Sequence, residues 1–203
     1  IKKRQEEFQH LPPLDIKVVE KEDTIRLGNL KVRFFSVTHT IPDSMGVIIE
    51  TPYGCVVNPG DIKLDHENGI PTEAEQNEYA KFKKEKVLML MMDSTNVDNP
   101  GFSTPERIVH KNLEEIIRSI KGRLIIGTFA SQIERMLKII EAAEKFGKKV
   151  VVEGRSMKNN IDIVRQTGML KARKETIITV EEMEQYPPDR IVVLATGAQG
   201  DEF

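Results

Sequence analysis

Cysteine is nearly absent: Cys55 is the only one in 203 residues. That excludes an internal disulfide framework and a cysteine-rich zinc knuckle, and it points to a reducing, cytoplasmic setting. Long apolar runs are missing too. The longest, Val87 to Met92, is strand-sized and far short of the ~20 residues that cross a bilayer, so no membrane partner is expected. A secretory leader is not expected, because Ile1-Lys2-Lys3-Arg4-Gln5-Glu6-Glu7 is a charged, helical pattern. Repeats and low-complexity stretches are absent. The chain opens on Ile1 and stops at Phe203 just after an apolar stretch, so a piece of a longer protein is expected.

What is present suits a packed core. Hydrophobic residues make up 39% and charged residues 31% of the chain, enough for one large domain or parts of two. The net charge is only −2, but it is unevenly spread. Arg118 to Lys174 carries 14 basic and 5 acidic side chains, a local +9. Such a block suits a polyanion such as nucleic acid, and it also suits plain solvated helix faces.

Residues 1–9 read as the end of a helix, closed by Leu11-Pro12-Pro13. A β-rich stretch follows. Strands are expected at 15–19, 24–27 and 30–37, with Gly28-Asn29 as a tight turn. A second hairpin pairs 46–50 with 55–57 across Thr51-Pro52-Tyr53-Gly54. Residues 72–85 are polar and compatible with a helix. Val87 to Met92, apolar throughout, predicts a strand buried on both faces.

After Pro105 the pattern changes to helices of 10–15 residues alternating with strands. Helices are expected at 105–120, 131–146 and 156–167, and strands at 123–128, 148–153 and 191–196. An extended segment at 175–180 and a brief helix at 180–186 lie between them. Ser103 or Thr104, Ser131 and Ser156 are the expected N-caps, with Pro105 at the first helical position. This alternation predicts a parallel sheet with crossover helices.

Chemistry-bearing residues fall at strand ends. His39 follows strand 30–37, Asp61 follows strand 55–57, and Asp93 follows the apolar run. A His and two Asp converging there would suit a divalent cation; each alone is more often a cap or turn residue. His10, His66 and His110 read as surface. In the second half, Ser131, Arg155, Ser156, Gly197, Gln199 and Gly200 stand just beyond three strands. Ligands gather at the carboxyl ends of parallel strands, where helix N-termini and an arginine fork suit phosphate. Each loop alone is ordinary turn chemistry.

Together these segments resemble the ribonuclease J family, a branch of the metallo-β-lactamase superfamily with a β-CASP insertion. The matching motifs run in order along the chain. They are Val37-Thr38-His39-Thr40-Ile41-Pro42-Asp43-Ser44, Pro59-Gly60-Asp61-Ile62-Lys63-Leu64-Asp65, and Asp93-Ser94-Thr95-Asn96 with Pro100-Gly101-Phe102. Thr128-Phe129-Ala130-Ser131, Gly154-Arg155-Ser156-Met157 and Thr196-Gly197-Ala198-Gln199-Gly200 follow. The resemblance implies an α/β chain in which residues 1–105 form part of a metallo-β-lactamase β-sheet half. Residues 106–203 would form part of a Rossmann-like parallel β-CASP domain.

It further implies a ribonuclease using two zinc ions, acting on RNA from a 5′-monophosphate end and internally, in a homo-oligomeric parent. His39 would be a zinc ligand, Asp61 the carboxylate bridging both ions, and Asp93 a support for the site. Ser131, Arg155, Ser156, Gly197, Gln199 and Gly200 would contact RNA phosphates.

Departures accompany the likeness. The family's His-x-His-x-Asp-His motif and its later histidine motifs are not in this chain. Asn58-Pro59 stands for His-Thr, Ala198 for Ser, and Asp201-Glu202 for Glu-Pro. Gln132 and Glu134 stand for Asn and His. Two protein ligands cannot hold two zinc ions, so the chain alone is expected to be inactive. Another β-CASP nuclease, or a non-catalytic RNA-binding subunit, remains the alternative.

Overall fold

The structure is a computed structural model, and it describes residue 5 and residues 8–196. The expected helix over 1–9 lies mostly outside those residues, as do Gly197, Gln199 and Gly200. The chain is mixed α/β, with a mostly antiparallel sheet followed by a parallel α/β sheet.

The first sheet has the order β1-β2-β3-β4-β7. Its strands are β1 (Thr24–Leu27), β2 (Leu30–Ser36), β3 (Met45–Thr51), β4 (Gly54–Asn58) and β7 (Val87–Leu90). Both predicted hairpins form. Leu27 pairs with Leu30 across Gly28-Asn29, and Thr51 with Gly54 across Pro52-Tyr53. Gly28 sits at φ +60°, the left-handed region such a tight turn requires. A small ribbon, β5 (His66–Glu67) with β6 (Ile70–Pro71), precedes helix α1 (Glu73–Ala80) and a 3₁₀ turn at Lys81–Lys84. Alternation along the strands drives Phe35, Val37, Ile48, Cys55 and Val57 into one cluster, closed by Tyr79 and Phe82. Burial, with help from Glu75 and Glu78, pushes the Tyr79 phenol up to about 12.

Two strand expectations fail here. Residues 15–19 join no ladder, and Val18 is 87% exposed; no strand lies beside them among the described residues. The run Val87 to Met92 does form an edge strand, parallel to β4. Its side chains are 41–59% exposed rather than buried on both faces. An apolar run reports what a strand would bury, not whether a neighbour is there to bury it.

The second half follows the predicted alternation. Helix α2 (Glu106–Ser119) leads to β8 (Leu124–Gly127), α3 (Ile133–Lys145), β9 (Lys149–Glu153) and α4 (Arg155–Gln166). Then come β10 (Ile177–Ile178), 3₁₀ turns at 174–176, 181–185 and 188–190, and β11 (Ile191–Ala195). All pairings in this sheet are parallel, in the order β10-β9-β11-β8. Val150, Val152, Val192 and Leu194 face α3 and α4, and Val151 and Ile191 face the opposite side with Ile178. The central strands are covered on both faces, the usual condition of a parallel sheet, whereas Ile125 on the edge strand β8 is 68% exposed.

The predicted caps shift. Pro105, not Ser103 or Thr104, holds the N-cap position; its ψ of 140° keeps it outside the helix, while its carbonyl receives Ile108 and Val109 N–H. Helix α3 starts after Gln132, so Ser131 lies one residue too early. Helix α4 starts after Gly154, which leaves Ser156 inside the first turn. Gly154 has φ +106°, and a Cβ there would meet Thr196 Oγ1 at 2.3 Å, so glycine takes the cap instead of serine.

Ile139 is fully buried between α3 and the sheet, whereas Ile163 on α4 is 39% exposed. Ile139→Ala is expected to lower stability by ~2–5 kcal/mol. Ile163→Ala should cost less than ~1 kcal/mol, since half-exposed side chains leave little cavity. Urea unfolding of the two variants checks the contrast.

Candidate functional site

The carboxyl ends of β8, β11 and β9 lie level. Gly127 pairs with Ala195, and Ala195 with Glu153. Thr128 N–H donates to Ala195 O and Thr196 N–H to Glu153 O, which carries the ladder one residue past the strands. The loops bearing Ser131 and Arg155 therefore leave the same sheet edge. Ser131, Arg155 and Ser156 are all exposed there, with Arg155 at the first position of α4. Asn160 of α4 donates to Ala130 O at 2.7 Å and ties that helix to the loop bearing Ser131. Part of the basic block is already committed within the fold. Arg135, Lys138, Lys158 and Arg173 pair with carboxylates, as does Lys145 with Glu114.

The first sheet brings two of its candidates together. His39 Nε2 lies 3.8 Å from Asp61 Oδ2. Their loops are tied by Lys63 N–H, which donates to Thr38 O at 2.7 Å. His39 Nδ1 is buried without a hydrogen-bond partner, while Asp61 is 81% exposed. Asp93 is exposed, and Thr95 donates to its Oδ1 from both hydroxyl and backbone, at 2.7 and 2.9 Å. Those bonds hold its carboxyl below the usual 3.8, with smaller help from Ile62 N–H and the His39 ring.

Donor chemistry and donor number give different answers. An imidazole nitrogen and a carboxylate suit zinc. Among the described residues, however, no three His, Cys, Asp or Glu side chains gather as a metal cluster. The residues present do not fit a two-zinc centre by themselves.

Sequence reading overlooked the group next to this pair. Glu106, at the start of α2, accepts Lys63 Nζ and Arg135 Nη2 on one oxygen, both at 2.5 Å. Arg135 Nε reaches the other oxygen at 3.3 Å. Burial alone would raise the Glu106 carboxyl, but the bonds from Arg135 and Lys63 outweigh it and hold the group below 4.5. Arg135 Nη1 and Thr128 Oγ1 both donate to Gln132 Oε1, at 2.7 and 2.5 Å. His110 Nε2 lies 3.4 Å from Glu106 without a hydrogen bond, and burial lowers its pKa.

Two histidines read as surface are therefore not. His110 is half-buried. His66 is 6% exposed, with Nε2 2.8 Å from Ser103 O and Nδ1 accepting Gly69 N–H. His10 is exposed as expected. The partners of Glu106 are 43 and 29 residues away, so spacing could not reveal them.

Comparison with known proteins agrees with this architecture. Residues 121–203 match the family described as Ribonuclease J, beta-CASP domain. Over 200 residues the chain is 39% identical to a Ribonuclease J of Thermus thermophilus, covering 96% of this chain and 34% of that protein. A Ribonuclease J 2 of Staphylococcus epidermidis is 34% identical over 183 residues, covering 90% and 33%. The chain spans about a third of the length of these curated relatives. Among solved structures, a protein of unknown function from Enterococcus faecalis V583 shares the fold. Its TM-score is 0.60 at 18% identity, over 90% of this chain and 44% of that one.

Because the Glu106 carboxyl is depressed on folding, its contribution is complete above 4.5 and is lost as pH falls through the folded value. Glu106→Gln is expected to cost ~1–3 kcal/mol at pH 7, since two cations lose their anion in a half-buried site. The difference between variant and wild type should shrink on acidification to pH 3. Urea midpoints at the two pH values measure it.

Proposed function

The chain belongs to the ribonuclease J family, and we propose that it carries one edge of a zinc-dependent nuclease centre together with much of the RNA-facing wall. The parent protein would hydrolyse phosphodiester bonds of RNA, from a 5′-monophosphate end and internally. The carrying observation is the approach of His39 and Asp61 at neighbouring strand ends, 3.8 Å apart, with their loops tied through Lys63. In this reading His39 and Asp61 would both hold zinc, which would supply a Lewis acid and an activated hydroxide. The remaining ligands come from outside this chain, which is inactive alone. Asp93 supports the pair from beside it.

Ser131, Arg155 and Ser156 stand at the level ends of three parallel strands, where an anion meets helix N-termini and an arginine fork. In this reading they hold RNA phosphates, joined by Gly197, Gln199 and Gly200. Residues 1–105 belong to the metallo-β-lactamase half and 106–203 to the β-CASP half. The parent would work in the cytoplasm as a homo-oligomer. A second reading, a non-catalytic RNA-binding subunit, draws on the lack of a three-donor metal cluster among the described residues.

Zinc quantitation separates the two readings. The isolated chain, dialysed without chelator, is expected to keep at most about one zinc ion, since metal holding requires three or four protein ligands. The parent protein should hold tightly bound zinc; a parent without it would favour the binding subunit.

In single-turnover cleavage of a 5′-monophosphorylated RNA by the parent, Asp61→Ala should abolish the reaction. Arg155→Ala should raise KM several-fold with kcat little changed, the mark of lost uniform binding. Cleavage by Asp61→Ala near the wild-type rate would remove Asp61 from the ligand set.

A further inference from the structure

We propose that Glu106 is a positioning residue that locks the Asp61 loop to the carboxyl edge of the parallel sheet, fixing the spacing between metal donors and phosphate-facing loops. The proposal rests on the reading of Asp61 as a metal donor.

The geometry is that of one anion between two cations on different elements. Lys63 lies two residues beyond Asp61, in the loop after β4. Arg135 lies in the first turn of α3, just past the loop that carries Ser131. Both meet the same Glu106 oxygen at 2.5 Å. All three side chains are 21–23% exposed, so solvent screens the group only in part. Without the carboxylate, Lys63 and Arg135 would face each other as like charges and separate.

The chain of contacts does not stop at Arg135. Through Gln132 it reaches Thr128, which is 5% exposed at the end of β8. A backbone bond runs alongside: Glu134 N–H donates to Thr40 O at 3.4 Å, beside His39. Two independent ties therefore join the loops of His39 and Asp61 to the start of α3.

The fold supplies an internal control. Arg33 bridges Glu50 and Glu85 at 2.6 and 2.9 Å, with side chains 28–34% exposed. That network is likewise partly buried, but it staples the first sheet and touches neither loop. Loss of either network should lower stability; only loss of Glu106 should move one loop against the other.

The test uses the full-length parent protein and four variants: Glu106→Gln, Lys63→Met, the double variant, and Arg33→Met. With 5′-monophosphorylated RNA, Glu106→Gln and Lys63→Met are expected to lower kcat roughly tenfold to a hundredfold, with KM within about twofold, as displaced reacting groups do. The double variant should be no worse than Glu106→Gln, because the two residues act as one unit. Arg33→Met should lower Tm comparably and keep kcat.

Hydrogen exchange gives a readout independent of activity. The amides of Lys63 and Glu134 should exchange faster together in Glu106→Gln and stay at wild-type rates in Arg33→Met. An equal kcat loss in Arg33→Met, multiplicative effects in the double variant, or a KM rise without a kcat loss would overturn the proposal. So would unchanged exchange at Lys63 and Glu134. If the wild-type parent does not cleave RNA, the functional reading fails by itself, and exchange still decides whether the lock exists.

Discussion

The central place of β11 is the constraint on which the rest of the second half depends. It pairs with β8 on one side and β9 on the other, and its register sets Gly127, Ala195 and Glu153 level. The loops after β8 and β9 then leave the sheet at one height, with Thr196 between them. Side chains far apart in sequence become neighbours because the strands end together, not because any loop has a special conformation. Gly154 sharpens this at one point, where only a residue without a Cβ lets the α4 turn lie against Thr196.

The first sheet is built differently. Its strands follow one another mostly as hairpins, and its core is a small aromatic and aliphatic cluster around Phe35. Polar ties join it to the parallel half: a shared carboxylate and a backbone bond. Charged groups removed from water are costly unless each finds partners, and Glu106 meets that condition with Arg135 and Lys63. A polar joint fixes direction more tightly than an apolar one, since hydrogen bonds weaken steeply when bent.

Much of the fold was legible in the sequence, for identifiable reasons. The alternation of β8, α3, β9, α4 and β11 shows in the switch of apolar period, and both hairpins show in their turn residues. Local chemistry misled at the helix starts. Serines near α3 and α4 looked like caps, but the chain geometry gave those positions to Gln132 and Gly154. The run through Val87 looked doubly buried because composition carries no information about which neighbours a strand meets. The candidate residues His39, Asp61 and Asp93 stood out by type and position. Glu106, Lys63 and Arg135 did not, since a long-range ion pair leaves no periodic trace, and His66 looked peripheral although its ring is fully used.

The strand order also has a kinetic side. β8 and β9 are consecutive strands, yet they share no ladder; the slot between them waits for residues 191–195. Until that last segment arrives, both strands present an open edge, and the sheet cannot close around its valines. The pairing that closes it joins residues nearly 70 positions apart, Val192 with Leu124. Contacts of such long range are entropically costly to reach and slow folding. During synthesis the parallel sheet would then stay open until the strand bearing Val192 and Leu194 has emerged.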